Sequence, residues 1–194
     1  MSKKGSTASA SKTAEKRLIL DDVGSAQAAE ILEKLATDAK ISKRIQELAV
    51  EHLVKVNPDD IAEDVFDDLN ALEVEDLCKN SGRTRYGYVE PCEKASEMFE
   101  EELEPHIDKM RKCLKLSMHE AANLHCMGIL KGIYRFEKQS TTEFADWVED
   151  DPSQSFQLVF DEWKRGNNDP KNLEEMKEFV GKNFPEWSKD ALTE

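Results

Sequence analysis

The chain has 194 residues, of which 41 are acidic and 27 basic, and its net charge is −14. This length is sufficient for one domain with a buried core. The acidic character disfavours contact of the main body with nucleic acid or with anionic membranes. No apolar stretch reaches the roughly 18 residues that a transmembrane helix needs. The four cysteines form no CxxC pair, which favours reduced thiols in a cytoplasmic protein.

Residues 1–20 predict a flexible tail with five basic residues and one acidic residue. The tail has no apolar core of the kind that a secretory signal contains, so we expect no such signal. An acidic body attracts a basic tail weakly and in a salt-dependent manner. We expect the remaining chain, 21–190, to form a single all-α domain.

Apolar residues recur three and four positions apart between residue 25 and residue 80, which predicts amphipathic helices. Ser25 and Asp38 are candidate N-caps for a first pair of helices. Asn57, followed by Pro58, is a typical start for a third helix. The apolar positions of that helix are Ile61, Val65, Leu69 and Leu72. Its other face is acidic, and we interpret it as a solvated surface.

The segment 81–91 is the candidate binding site, because two glycines and a proline interrupt helix formation there. It contains two arginines and two tyrosines, which are Arg83, Arg85, Tyr86 and Tyr88. Guanidinium groups bind carboxylates and phosphates through paired hydrogen bonds, and tyrosines offer broad amphipathic contact surfaces. These four residues are therefore candidates for partner or ligand binding.

A structural interpretation of the same segment stays open beside the functional one. Nine acidic residues lie between Asp59 and Asp76, and both arginines would then form internal ion pairs with them. The tyrosines would fill a seam between two helices instead of contacting a partner.

A long helical hairpin is predicted from Pro91 to about Lys138, with a polar turn around Ser117. The apolar stripe of its first arm is Ala95, Met98, Phe99, Leu103, Ile107, Met110 and Leu114. The stripe of its second arm is Ala122, Cys126, Ile129, Ile133 and Phe136. Pro105 lies inside the first arm and predicts a kink or a brief break near 101–104.

Gly128 and Gly132 form a GxxxG step in the second arm of the hairpin. In a soluble helix each glycine costs about 1 kcal/mol relative to alanine, so another interaction must offset this loss. Close approach of a second helix is the favoured explanation, and a bound ligand is the alternative.

Two further helices are predicted after a polar connection over 139–151. Asp150–Pro152 starts the first, which ends at Gly166, and Asp169–Pro170 starts the second. Nowhere in the sequence does a segment show the alternation of a strand or a repeat of fixed period. The aromatic residues of this region suggest self-association through Phe156, Phe160, Trp163 and the final helix.

The sequence carries no signature of a catalytic, metal-binding or cofactor-binding site. His119-Glu120 is not followed by the second histidine of an HExxH zinc motif, and His125 would face a different side of the helix. Cys126 lacks a base and an orienting group at helical spacing, so we interpret it as a core residue. We therefore predict no catalytic residue, no metal and no cofactor.

The segment 81–136 resembles the helical region that follows the zinc finger in SWIM-type zinc-finger proteins and related uncharacterised bacterial and archaeal proteins. The similar positions are Tyr86, Gly87, Tyr88, Glu93 and Ala95, and the resemblance extends over roughly 25–140. The CxC and CxH zinc ligands of the finger are absent, so neither zinc nor nucleic-acid binding carries over. The resemblance implies tetratricopeptide-like helix pairs with a scaffold role.

The predicted fold is all-α, with antiparallel helix pairs stacked as a helical-repeat-like bundle. The leading hypothesis is a non-catalytic scaffold or adaptor domain that binds a protein partner with a basic surface, because stacked helix pairs create extended surfaces and grooves. The alternative is a small-ligand-binding protein or an enzyme that uses Arg83, Arg85 and Tyr88 over a helical pocket.

Overall fold

The computed structural model of this chain describes residues 23–85 and 87–189, with all their side chains except those of 46, 49–54 and 84. Of the described residues, 77% are helical, which confirms the all-α prediction. The predicted tail over 1–20 lies outside the described residues. None of the described helices is apolar over enough residues to cross a membrane.

The described residues form eight α-helices, one 3₁₀ helix and two β-strands. In chain order these are α1 (Ser25–Leu35), α2 (Ala39–Val54), α3 (Pro58–Asn70), α4 (Val74–Asn80), β1 (Gly82–Thr84), β2 (Gly87–Val89), α5 (Pro91–Lys115), α6 (His119–Gln139), the 3₁₀ helix (Ala145–Trp147), α7 (Asp151–Gly166) and α8 (Pro170–Asn183). The chain divides into two compact units, Met1–Glu51 and His52–Glu194. The division of the chain into a tail and one domain stays a prediction.

The first unit contains α1 and most of α2. Asp38 caps α2 as predicted, because its Oδ1 atom accepts hydrogen bonds from the backbone N–H groups of Lys40 at 2.8 Å and Ile41 at 3.2 Å. Helix α1 begins at Ser25, but Gly24 and not Ser25 is its N-cap. A glycine is a tolerated N-cap because it adopts the extended backbone that this position needs.

The second unit is organised around α6, which packs against α3, α5, α7 and α8. Helices α5 and α6 form the predicted hairpin, and Ser117 in the turn between them has a φ of 57°. Buried apolar side chains from these helices form one core, which includes Leu69, Phe99, Ile133 and Met176.

Two helices of the second unit begin where the sequence predicts. The Asn57 side chain accepts a hydrogen bond from the backbone N–H of Asp59 at 3.1 Å, at the start of α3. The Asp169 side chain accepts one from the N–H of Lys171 at 3.0 Å, at the start of α8. Both caps precede a proline in the first turn, a position where the missing N–H of proline leaves no helical bond unmade.

The glycines of α6 lie against α3, which confirms the favoured explanation of the GxxxG step. A Cβ atom built on Gly128 would lie 2.6 Å from the Cβ atom of Ile61. Gly132 faces Val65 in the same way, one turn further along both helices. Because the two contacts advance together, α3 and α6 run in the same direction.

Helix α5 continues through Pro105. Of the two alternatives that the sequence predicts near 101–104, a kink or a brief break, the break does not occur. Proline removes the backbone N–H that would bond to the carbonyl group of Glu101. Glu101 and Pro105 are both exposed, so water can hydrate this carbonyl group. The helix is therefore one continuous element that reaches from the hairpin strands to the turn before α6.

The self-association hypothesis is wrong for its three aromatic residues, and the part that uses the final helix stays a prediction. Phe156, Phe160 and Trp163 are buried in the core of the second unit. The Nε1–H group of Trp163 donates a hydrogen bond at 2.9 Å to the buried Oδ1 atom of Asn123. These aromatic side chains stabilise the packing of α7 on α6 and offer no surface to another chain.

Candidate functional site

The segment between α4 and α5 is a β-hairpin, where the sequence predicts no strand. Strands β1 and β2 are antiparallel, with the pairs Gly82 and Val89, Arg83 and Tyr88, and Thr84 and Gly87. Gly82 and Gly87 have φ values of 84° and 145°, which side chains other than glycine rarely adopt. The two glycines thus permit the backbone of this hairpin. The sequence pattern predicted a loop here, because it indicated only that no helix forms.

Both ends of this hairpin are attached to packed helices. Helices α4 and α5 contact each other, and Leu77 of α4 is fully buried in the core. The Nδ2 group of Asn80 donates a hydrogen bond to the carbonyl oxygen of Asp76 at 2.8 Å and closes the end of α4. The hairpin is therefore held at both ends by packed helices.

Arg83 and Tyr88 lie directly opposite each other, on the same face of the hairpin. Both side chains are exposed, and that of Tyr88 is exposed to 64%. Within the part of the chain that the structure describes, the Arg83 side chain has no ion-pair or hydrogen-bond partner. The structural interpretation, with a paired arginine and a tyrosine in a helix seam, is therefore wrong for these two residues.

Of the other two predicted site residues, the structure describes Arg85 only. Arg85 is exposed in the turn and is engaged in an interaction of its own. Tyr86 lies outside the described residues. The structure thus places two of the four candidates, Arg83 and Tyr88, side by side, and the roles of the other two stay predictions.

A cleft of about 700 Å³ opens beside the first turns of α5. One wall is formed by Cys92 and Ser96, and the opposite wall comes from the 3₁₀ helix and the start of α7. That opposite wall holds Trp147 and four carboxylates, which are Asp146, Glu149, Asp150 and Asp151. The Trp147 side chain is 39% exposed, and among the described residues these carboxylates form no ion pair. Cys92 follows Tyr88 by four residues, so their Cα atoms lie within about 14 Å.

Sequence reasoning missed this cleft, because the connection over 139–151 looked like a polar linker. Its walls come from segments that are far apart in the sequence, and only packing brings them together. The run from Glu149 to Asp151 beside an aromatic residue is the feature that could have indicated a site.

His106 of α5 and His125 of α6 are buried in the second unit. The Nε2 atom of His106 is 2.8 Å from the Oδ2 atom of Asp68 on α3. The His125 side chain is buried, and its Nδ1 atom has no hydrogen-bond partner among the described residues. Burial lowers the pKa of His125, and the nearby charges of Lys109 and His106 lower it further. Cys126 is fully buried, as a core residue should be, and burial raises the pKa of its thiol.

Over residues 23–85 and 87–189, no group of three or more His, Cys, Asp or Glu side chains is arranged to hold a metal ion. Comparisons with protein-family models, with curated proteins and with solved structures found no match for this chain. The resemblance to the helical region of SWIM-type proteins therefore stays a prediction, as does the helical-repeat arrangement.

Proposed function

We propose that this protein is a non-catalytic interaction module that binds a protein partner through the exposed face of its β-hairpin. The observation that carries the proposal is the pair of Arg83 and Tyr88, which are opposite each other and exposed. The arginine has no internal partner in the described structure. An arginine and a tyrosine held together in this way form a contact surface that the fold itself does not use.

The chemistry of these two side chains suits protein binding. Arginine and tyrosine are enriched among the few interface residues that supply most of the binding free energy. Arg83 forms no ion pair within the described residues of the free protein, so a partner need not displace one. Tyr88 offers a large contact area with few rotatable bonds, which limits the entropy lost on binding. Attachment of the hairpin to packed helices limits this loss further.

The charge of the surroundings favours a partner with a basic surface. The net charge of the chain is −14. The carboxylates of the cleft add a local negative charge near the hairpin, because the cleft wall that they face includes Cys92, four residues after Tyr88. Such a field attracts cationic surfaces and raises their association rate. It also makes binding sensitive to salt, because added ions screen exposed charges.

The alternative, a small-ligand site or an enzyme built on Arg83, Arg85 and Tyr88, has less support. Small-molecule sites are concave and bury most of the ligand. Arg83 and Tyr88 stand exposed on a two-stranded hairpin, whereas His106 and His125 are buried elsewhere. These groups therefore do not form the converging set that ligand chemistry requires.

A comparative capture experiment tests the proposal. Tagged wild-type protein, the double variant Arg83→Ala/Tyr88→Ala and the double variant Leu158→Ala/Lys171→Ala would be incubated with native lysate at low and high salt. The last variant is the control, since it removes one exposed apolar side chain and one exposed cation from other helices. Bound proteins would be quantified by mass spectrometry, and the folding of each variant by thermal unfolding.

We expect at least one protein to bind the wild type and the control, to be lost from the hairpin variant, and to bind less at high salt. All three proteins should unfold at similar temperatures, because neither pair of side chains belongs to the core. Equal capture by the wild type and by the folded hairpin variant would contradict the proposal.

A further inference from the structure

We propose that the partner contacts this surface with one extended segment that carries charges of both signs. A carboxylate of the segment pairs with Arg83, and a lysine or arginine side chain enters the cleft beside Trp147. This inference rests on the proposed function, because it names the chemistry of the partner at the same surface. It adds the cleft to the hairpin as a second contact of opposite charge.

The hairpin supplies the positive half of this surface. Arg83 is exposed, and within the described residues no carboxylate lies within ion-pair distance of it. A guanidinium group binds a carboxylate through two parallel hydrogen bonds, which makes the contact directional. The acidic body repels carboxylates at most other positions, so a partner gains from an acidic residue only where that residue meets an arginine such as this one.

The cleft supplies the negative half. Two carboxylates of the second unit, Asp59 and Glu162, are paired with cations of a neighbouring helix, Lys131 and Arg111. The four carboxylates around Trp147 have no such partner among the described residues. A cation from outside would therefore meet carboxylates that no cation of the described residues neutralises.

Trp147 adds a contact that carboxylates alone do not provide. An indole ring attracts a cation placed over its face, and the attraction grows where the cation is partly desolvated. Trp147 lines the cleft and its side chain is 39% exposed, so an entering side chain can reach the indole ring. A lysine or arginine side chain has both the charge and the apolar stem that such a site accommodates.

One segment can reach both contacts. The Cα atoms of paired residues such as Arg83 and Tyr88 are about 5 Å apart, and those of Tyr88 and Cys92 lie within about 14 Å. The hairpin and the cleft wall are thus within about 20 Å of each other, which an extended segment of about six residues spans. The acidic and basic residues of the partner should therefore be separated by no more than about six positions.

Selection from a displayed library of random twelve-residue peptides tests this inference, because the library offers many arrangements of charge to the same surface. The targets would be the wild type, Arg83→Glu, the cleft variant Asp146→Asn/Glu149→Gln, and the control Glu174→Gln/Glu178→Gln. The control changes the net charge as the cleft variant does, but at positions of α8 outside the cleft. Affinities of enriched peptides would then be measured by fluorescence anisotropy.

We expect the wild type and the control to enrich peptides with an acidic and a basic residue within about six positions. Arg83→Glu should bind such a peptide about tenfold more weakly than the wild type does. Replacement of the acidic residue of the peptide by lysine should restore binding to this variant. The cleft variant should lose the preference for the basic residue and keep the preference for the acidic residue. Absence of enrichment, enrichment without this charge pattern, or a pattern that both variants leave unchanged would overturn the inference. If lysate capture still depends on Arg83 and Tyr88 in those cases, the proposed function stands without it.

Discussion

A Cβ atom on Gly132 of α6 would lie 2.6 Å from the Cβ atom of Val65 on α3, a distance that real side chains do not reach. The backbones of the two helices therefore approach each other closely at this position. Gly128 makes the equivalent contact with Ile61 one turn earlier. Small residues permit such close approach, and the packing gained offsets the low helix propensity of glycine.

The substitution Gly132→Ala should destabilise the protein. The added methyl group overlaps Val65, and overpacking of this kind costs about 1–3 kcal/mol, although alanine favours a helix by about 1 kcal/mol. Urea unfolding would measure the free energy of unfolding of both proteins. Gly181→Ala is the matched control, because Gly181 of α8 has open space around its Cα atom, and it should leave stability equal or higher. Equal stability of Gly132→Ala and the wild type would show that α3 can move away without loss.

Replacement of Asn123 by leucine should destabilise the second unit by about 2–4 kcal/mol, since two buried donors would lose their acceptor. The Oδ1 atom of Asn123 accepts hydrogen bonds from Trp163 Nε1 and from Asn167 Nδ2, both at 2.9 Å. Chemical denaturation with tryptophan fluorescence would measure the effect. Asn183→Leu, at an exposed position, is the control and should change stability little. A neutral result for Asn123→Leu would mean that the core relaxes to hydrate both donors.

Acid should destabilise the fold through His125, whose pKa is lowered by burial and by the charges of Lys109 and His106. Above the ordinary histidine pKa of about 6.5, His125 is neutral in both states and contributes no pH dependence. As the pH falls below that value, the unfolded chain binds a proton that the folded chain resists, so stability decreases. The free energy of unfolding, measured by urea titration between about pH 7 and pH 5, should show this slope.

The variant His125→Gln should have a smaller slope than the wild type over the same pH range. His119→Gln keeps His125 and serves as the control for replacing a histidine of α6 by glutamine. Identical slopes for the wild type and for His125→Gln would assign the acid sensitivity to other groups.

The double variant Arg83→Ala/Arg85→Ala should weaken binding of a partner found by lysate capture and leave the thermal unfolding temperature close to that of the wild type. Both side chains are exposed on the hairpin, and neither belongs to the core. Isothermal titration with the purified partner would give the change in affinity. Comparison with Arg83→Ala alone would separate the two arginines, and unchanged affinity in both variants would remove the arginines from the interface.

Local chemistry explains why most helices were predictable. Asn57 and Asp169 cap helices through bonds to residues two positions away, so the starts of α3 and α8 depend on short segments alone. The apolar stripes of α5 and α6 recur over many turns, and such long patterns indicate a helix clearly. The GxxxG step was also informative, because the low helix propensity of glycine requires a tertiary explanation.

Tertiary relationships explain what was missed. Strands β1 and β2 have three residues each, too few for alternation to appear in the sequence. Their pairing depends on the backbone of Gly82 and Gly87, which composition marks only as a break in helix. The exposure of Tyr88 and the acidic cleft around Trp147 depend on which helices pack together, and a single sequence does not state those contacts.

The contact between α3 and α6 also fixes how far one helix can slide along the other. Along α6, Leu124 lies four residues before Gly128, and Phe136 lies four residues after Gly132. A shift of α3 by one turn toward the start of α6 would move Ile61 from Gly128 to the level of Leu124. A shift in the opposite direction would move Val65 from Gly132 to the level of Phe136. Either shift would thus exchange a glycine for a larger residue at one of the two close contacts, which favours the observed register.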